Sequence, residues 1–179
     1  LVRSRGLGDV YKRQKEYPAS ITKILTTALG LTYAKPEDRI TISQETVSDV
    51  WKWGETTHLA LEPGEIITLK DALYGAMVES ANDCANAIAQ AVSGSLTDFA
   101  ELMNQQVAAL GLSDTHFTNA HGLPDKDHYT TAYDMARITR WAMTVPGFEE
   151  YFCATEYTIP KTNKKDVARN IGTLSLIHI

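Results

Sequence analysis

Three successive runs of apolar residues at helical spacing, all between residues 68 and 110, constrain this chain most. Leu69, Leu73, Ala76 and Met77 mark the first, and Cys84, Ala85, Ile88, Ala89 and Val92 the second. Phe99, Leu102, Met103, Val107 and Leu110 mark the third. Spacing of three and four residues gathers each set into one stripe on an α-helix, and such a stripe needs a packing partner. The polar stretch Glu79-Ser80-Ala81-Asn82-Asp83 separates the first two helices, and Gly94 ends the second. Ser95 with Asp98 forms an acidic variant of the capping box that opens the third, and Gly111 is its expected C-cap.

A further helix is expected from Ser20 to about Leu31, carrying Ile21, Ile24, Leu25, Ala28 and Leu29, with Pro18 compatible with its start. Thr131 with Asp134 caps a fifth, bearing Met135, Ile138, Ala142 and Val145. Arg39-Ile40-Thr41-Ile42 and Tyr157-Thr158-Ile159 read as short strands, and Glu62-Pro63-Gly64-Glu65 as a turn. The chain between this first strand and the turn has no clear period. No repeat or linker divides the 179 residues, which suffice for one hydrophobic core. The reading is a single, strongly helical domain.

At 44% hydrophobic and 22% charged residues, the composition excludes a disordered or low-complexity chain. The net charge of -5, with its only basic cluster between Arg3 and Lys15, argues against a nucleic-acid partner, which would need a basic patch for phosphate. Cys84 and Cys153 have no C-x-x-C partner; a buried free thiol at Cys84 is expected, with a disulfide between them as the alternative and a zinc site disfavoured. No stretch approaches the ~20 apolar residues of a membrane span, and no signal-peptide h-region is seen. Residues 1–14 and 174–179 have the look of translated adapter sequence flanking a truncated reading frame, with a natural basic arm as the alternative at the N-terminus. The expectation is therefore a partial domain over 15–173 with a non-native extension at each end.

Ser20-Ile21-Thr22-Lys23 is an S-x-x-K sequence at a helix start, with both side chains on one face and Cβ atoms roughly 5–6 Å apart. Free N–H groups and positive potential there favour an alkoxide on Ser20. For Lys23 to act as a base near neutral pH, its pKa must fall from ~10.4 to about 7–8, roughly 4 kcal/mol of destabilised ammonium. The plainer alternative makes Ser20 an N-cap and Lys23 a surface residue. Ser80-Ala81-Asn82 adds a second element, a serine able to relay a proton and an amide able to hold lysine or substrate. Helix capping is the alternative there too.

The S-x-x-K and S-x-N pair belongs to the signature of penicillin-binding proteins and serine β-lactamases. Tyr17-Pro18-Ala19-Ser20-Ile21-Thr22-Lys23-Ile24-Leu25-Thr26 resembles the nucleophile segment of the low-molecular-mass D-alanyl-D-alanine carboxypeptidases. Glu62 to Asp83 resembles their second segment, and Phe117-Thr118-Asn119-Ala120-His121-Gly122-Leu123 with His128-Tyr129-Thr130-Thr131-Ala132-Tyr133-Asp134 a third stretch. The resemblance covers about Lys15 to Ile171, in order. It implies an α+β, β-lactamase/transpeptidase-like fold, here dominated by the helical part with most of the sheet missing. It implies Ser20 as acylated nucleophile, Lys23 as general base, Ser80 as a further catalytic group and Asn82 as a substrate-binding residue. The implied substrate is a peptidoglycan stem peptide ending in D-Ala-D-Ala, with β-lactams as covalent inhibitors and no cofactor or metal. The implied place is extracytoplasmic, in a bacterium, with peripheral membrane attachment open.

The spacings of His116, His121 and His128 fit no common zinc pattern, and His121 reads as a loop-structuring residue. Trp51 and Trp53 are expected to pack in the core or a loop, with a substrate groove as the alternative. No K-T-G occurs; Lys161-Thr162-Asn163 comes too early and lacks the glycine. In the family that element lies on a strand supplying the second oxyanion-hole N–H, so the 179-residue polypeptide is expected to be inactive and poorly stable. A serine β-lactamase, a D,D-endopeptidase and a non-catalytic penicillin-binding homologue remain alternatives.

Overall fold

The computed structural model describes residues 11–173. A 3-10 turn, Ala19–Ile21, runs directly into helix α1, Thr22–Tyr33. There follow β1 (Arg39–Thr41), α2 (Gln44–Trp51), β2 (Ile66–Thr68), α3 (Leu69–Val78), α4 (Asn82–Ser93), α5 (Leu96–Ala109), α6 (Ala132–Ala142), α7 (Phe148–Phe152), β3 (Glu156–Ile159) and β4 (Arg169–Gly172). β1 pairs antiparallel with β2, and β3 with β4, as two separate ladders. Helices therefore dominate an α+β arrangement.

α1 is the hub, packed against α3, α4, α5, α6 and α7. Leu25, Ala28 and Leu29 are fully buried, and so are Thr22, Thr26 and Thr27. A helix covered on so many sides needs apolar or hydrogen-bonded groups all round rather than on one stripe. Truncating a core residue such as Leu29 to alanine costs about 2–5 kcal/mol. α3 and α4 approach closely at Gly75, where a Cβ would stand 2.4 Å from the Cys84 sulfur. Only a residue without a side chain permits that crossing.

The caps follow their residue types. Ser95 and Thr131 accept the backbone N–H groups of Asp98 and Asp134 at the starts of α5 and α6. Thr68 and Asp71 bond reciprocally at the start of α3. Gly94 ends α4 in the left-handed conformation.

Several expectations need correction. The stretch without period contains α2, whose buried face is short: Thr46, Val47 and Val50. Trp51 and Trp53 do not pack in the core; they are 49% and 42% exposed, at the end of α2 and in the turn after it. α6 stops at Ala142, and Val145 lies beyond it, packed near Phe148. Pro146 disfavours helical backbone at the preceding residue. β2, β4 and α7 had no counterpart in the sequence reading. Cys84 is buried and Cys153 exposed, and both thiols are free.

Residues 1–10 and 174–179, which make up most of the two expected extensions, lie outside the described residues. Of residues 11–14, Lys12 accepts the Tyr133 N–H through its carbonyl, at 2.9 Å. The Arg13 guanidinium lies 4.5 Å from the Tyr133 ring centre. Glu16 bridges to Thr130 in antiparallel fashion.

Candidate active site

Two irregular points in the chain set the geometry. Ala19, just before Ser20, holds a φ of +48°, and Ser80, between α3 and α4, a φ of +59°. Left-handed backbone at a residue with a Cβ costs of order 1–3 kcal/mol and persists only when the surroundings enforce it. At Ser80 the surroundings are the Ala81 N–H on the Gly75 carbonyl and the Asn82 N–H on the Thr57 carbonyl. The buried Asp83 carboxylate adds to this by accepting the N–H groups of Leu59 and Leu61, which draws residues 57–61 over the start of α4. At Ala19 the neighbour is Gly122 (φ +93°), where a Cβ would stand 1.9 Å from the Ala19 carbonyl oxygen.

The loop carrying Gly122 is pinned to α1 at several points. The Thr26 hydroxyl donates to the Ala120 carbonyl at 2.7 Å. His128 Nδ1 accepts the Thr118 N–H, so Nε2 carries the ring proton and donates to Thr22 Oγ1 at 3.0 Å. Burial pushes His128 down to about 4, so the ring stays neutral through physiological pH. Asn119 closes the turn by accepting the Gly122 N–H at 2.7 Å.

Lys23 stands at the centre. Its side chain is 2% exposed, and Nζ donates to Asn82 Oδ1 and to the His121 carbonyl, each at 2.8 Å. Ser20 Oγ is 3.3 Å and Ser80 Oγ 3.4 Å from the same nitrogen. Ser80 Oγ donates to Ser20 Oγ at 2.9 Å. The two short bonds go to oxygens that can only accept, and the two longer contacts to hydroxyls that can also donate. A neutral amine has two protons and one lone pair. With its protons on Asn82 and His121, its lone pair is left facing the serines.

Burial pushes Lys23 down to about 7, partly opposed by the neighbouring Cys84 and Asp83. A free amine is thus well populated near neutral pH, as a general base requires. The four residues singled out in the sequence, Ser20, Lys23, Ser80 and Asn82, come together around one nitrogen, although they derive from the 3-10 turn with α1 and from the α3–α4 junction. Ser20 is exposed, while Asn82 is buried. Sequence reasoning missed the His121 carbonyl, because any residue type could have supplied it.

The three histidines are occupied separately. His116 Nδ1 is 2.7 Å from the Asp127 carbonyl, and His128 is bonded as above. His121 Nε2 is 2.9 Å from Asp49 Oδ2, and its Nδ1 accepts the Leu123 N–H. The loop-structuring reading of His121 fits these bonds. Among the described residues no group of three potential metal ligands gathers in one place.

Comparison with known proteins matches this geometry to one family. The sequence profile of the D-alanyl-D-alanine carboxypeptidases matches residues 7–176. The chain is 34% identical to the D-alanyl-D-alanine carboxypeptidase DacF of Bacillus subtilis over 154 residues, which are 83% of this chain and 38% of that protein. The solved structure of penicillin binding protein 5 from Haemophilus influenzae superposes with a TM-score of 0.76 at 28% identity, over 90% of this chain and 46% of that one. A mutant of the Streptomyces K15 DD-transpeptidase gives a TM-score of 0.82 at 25% identity, covering 94% and 68%. The chain thus spans little more than a third of its curated relative from Bacillus, and it shares the penicillin-binding fold. With the profile matched over nearly its whole length, the chain belongs to the D-alanyl-D-alanine carboxypeptidase family.

Proposed function

We propose that this chain carries the nucleophile half of a serine-type D-Ala-D-Ala carboxypeptidase, a bacterial hydrolase that removes the terminal D-alanine from peptidoglycan stem peptides. The observation that carries the reading is the buried Lys23 nitrogen, within 3.4 Å of both serine hydroxyls and 2.8 Å of Asn82. Neutral Lys23 takes the Ser20 proton, directly or through Ser80, as Ser20 Oγ attacks the carbonyl carbon of the penultimate D-alanine. The C–N bond then breaks, and Ser80 passes a proton from Lys23 to the departing D-alanine amine. Water hydrolyses the resulting ester by the same proton route in reverse. With Oδ1 committed to Lys23, Asn82 has its Nδ2 donors to offer the substrate backbone.

A β-lactam would acylate Ser20 in the same way, its ring nitrogen replacing the leaving amine. An enzyme with this substrate works outside the cytoplasmic membrane. Among the described residues no helix is long and apolar enough to cross a membrane. The sequence holds no K-T-G, the element that in the family supplies the second oxyanion donor and the substrate-pairing strand. One oxyanion donor alone is worth about 10²–10³ in rate. The 179-residue polypeptide by itself should therefore label poorly with penicillin.

The test is covalent labelling by a fluorescent penicillin of the gene product that carries this chain, with the adduct located by mass spectrometry. A Ser20 adduct and D-alanine release from a D-Ala-D-Ala peptide are expected. Labelling that survives Ser20→Ala overturns the assignment. Rapid penicillin turnover without peptide cleavage would make the protein a β-lactamase. Cleavage of cross-linked peptides in preference to stem peptides would make it an endopeptidase. A full-length protein that lacks K-T-G and takes no label would be a non-catalytic homologue.

A further inference from the structure

The proposed chemistry requires the Lys23 amine to hold one orientation, and half of that task falls to a backbone oxygen. The His121 carbonyl is a 2.8 Å acceptor for Nζ, and it belongs to a loop rather than a helix. What aims it is the His121 side chain. Its ring is 2% exposed, and a buried imidazole N–H left without an acceptor costs about 1–3 kcal/mol. Nδ1 accepts the Leu123 N–H at 3.1 Å, so the ring proton sits on Nε2 and is donated to Asp49 Oδ2 at 2.9 Å. Asp49 is fixed in turn. Asn86 of α4 donates its Nδ2 to the same carboxylate at 3.0 Å and to the Thr46 carbonyl at 3.2 Å. Lys52, the C-cap of α2, holds the other carboxylate oxygen at 2.6 Å.

We propose that Asp49 is a positioning residue for Lys23, acting through the His121 ring to hold the His121 carbonyl on the lysine amine. The inference rests on the reading of Lys23 as the base for Ser20. It adds α2, an element with no other link to the chemistry, to the parts that set that base. Burial favours a neutral ring, and the surrounding charges act in both directions. Burial lowers the His121 pKa, opposed by Asp49 and assisted by Lys23 and Lys52. The His121 hydrogen bond, with those of Lys52 and Asn86, holds the Asp49 carboxyl well below the usual carboxylate range. On its other side Lys23 meets Asp83 and Cys84 of α4, neither of which touches the His121 ring in this network.

The test compares Asp49→Ala, Asp49→Asn and Lys23→Ala in the gene product that carries this chain, by the rate of acylation with a fluorescent penicillin and by the unfolding midpoint. Asp49→Ala should slow acylation about 10- to 100-fold, since a displacement near 1 Å at a reacting group can cost that much. Asp49→Asn keeps an oxygen for the Nε2 proton and should restore the rate to within about threefold, while Lys23→Ala abolishes labelling. A wild-type rate in Asp49→Ala, or equal slowing in the alanine and asparagine variants, overturns the positioning role while Lys23→Ala remains inactive. Full labelling in Lys23→Ala overturns the base assignment itself. A second measurement is independent of whether the alanine variant folds. Nitrogen-15 spectra of labelled histidine should show His121 as the Nε2–H tautomer in the wild type, and an Nδ1–H tautomer rejects the proposal outright.

Discussion

Gly122 and Ala19 meet so closely that a Cβ on the glycine would stand 1.9 Å from the Ala19 carbonyl oxygen and 2.4 Å from its carbon. The contact is backbone against backbone, so no side chain can rotate away to relieve it. Gly122 also holds a φ of +93°, where any other residue is strained. Gly122→Ala therefore has to move either its own loop or the turn that presents Ser20. The expected result is a destabilisation of about 2–5 kcal/mol, the sum of overpacking and backbone strain. Urea unfolding measures it. An unchanged midpoint would show that the two segments separate more easily than their packing implies.

Lys23 makes a pH-dependent contribution to stability whose sign follows from its burial. In the unfolded chain the amine holds its proton up to pH 10.5, whereas in the folded protein burial lowers this to about 7. Between those values the unfolded state binds the extra proton, so stability rises with pH across the window. Below pH 7 the penalty is complete, and on the order of 5 kcal/mol by the usual conversion. Lys23→Met removes the titrating group. The stability difference between wild type and Lys23→Met should move in favour of the wild type by about 1.4 kcal/mol per pH unit from pH 7 to 10. Taking the difference cancels the tyrosines that titrate in the same range. A flat difference would mean that Lys23 keeps an ordinary pKa.

How much of this was legible in the sequence depended on the range over which each signal acts. The helices around Leu69, Ile88, Phe99 and Ile138 were readable because each carries several apolar residues in register, and the Ser95 and Thr131 caps are local. α2 was not, because only Val47 and Val50 mark its apolar face. The ladders of three or four residues are too short for a period to emerge. The residues of the site itself were readable as two motifs, since S-x-x-K and S-x-N each lie within one turn of chain. What surrounds them was not. The Asp49–His121 bond joins residues 72 apart, and the Lys23 partner on His121 is a main-chain oxygen without a residue signature. The close approach of Gly122 to Ala19 is a tertiary fact that an H-G pair alone cannot announce.

Ser80 combines the proposed proton-relay role with a strained backbone, and two substitutions separate them. Ser80→Ala removes the hydroxyl 2.9 Å from Ser20 Oγ but retains a Cβ at φ +59°. Ser80→Gly removes the hydroxyl and the strain together. Both should slow acylation of the intact enzyme by about 10²-fold or more, the range for losing a positioned proton-transfer group. The glycine variant should be the more stable of the two by about 1 kcal/mol, since glycine adopts left-handed backbone without steric cost. Acylation kinetics with parallel thermal unfolding checks both. A glycine variant that acylates at the wild-type rate would reduce Ser80 to a backbone hinge.

The rate of acylation should itself titrate with Lys23. As the ammonium, Lys23 has three protons among four oxygen neighbours and no lone pair to receive the Ser20 proton. Loss of one proton, with a pKa of about 7, frees the lone pair on the side of the two serines. Acylation by a penicillin should therefore rise tenfold per pH unit well below pH 7 and level off above it. His128, held near 4, titrates below that limb, and burial lowers the His121 ring as well. A β-lactam without an ionising amine keeps the substrate from contributing, and stopped-flow acylation between pH 5 and 9 traces the curve. A profile flat through this range would mean that the Ser20 proton leaves by a path that avoids Lys23.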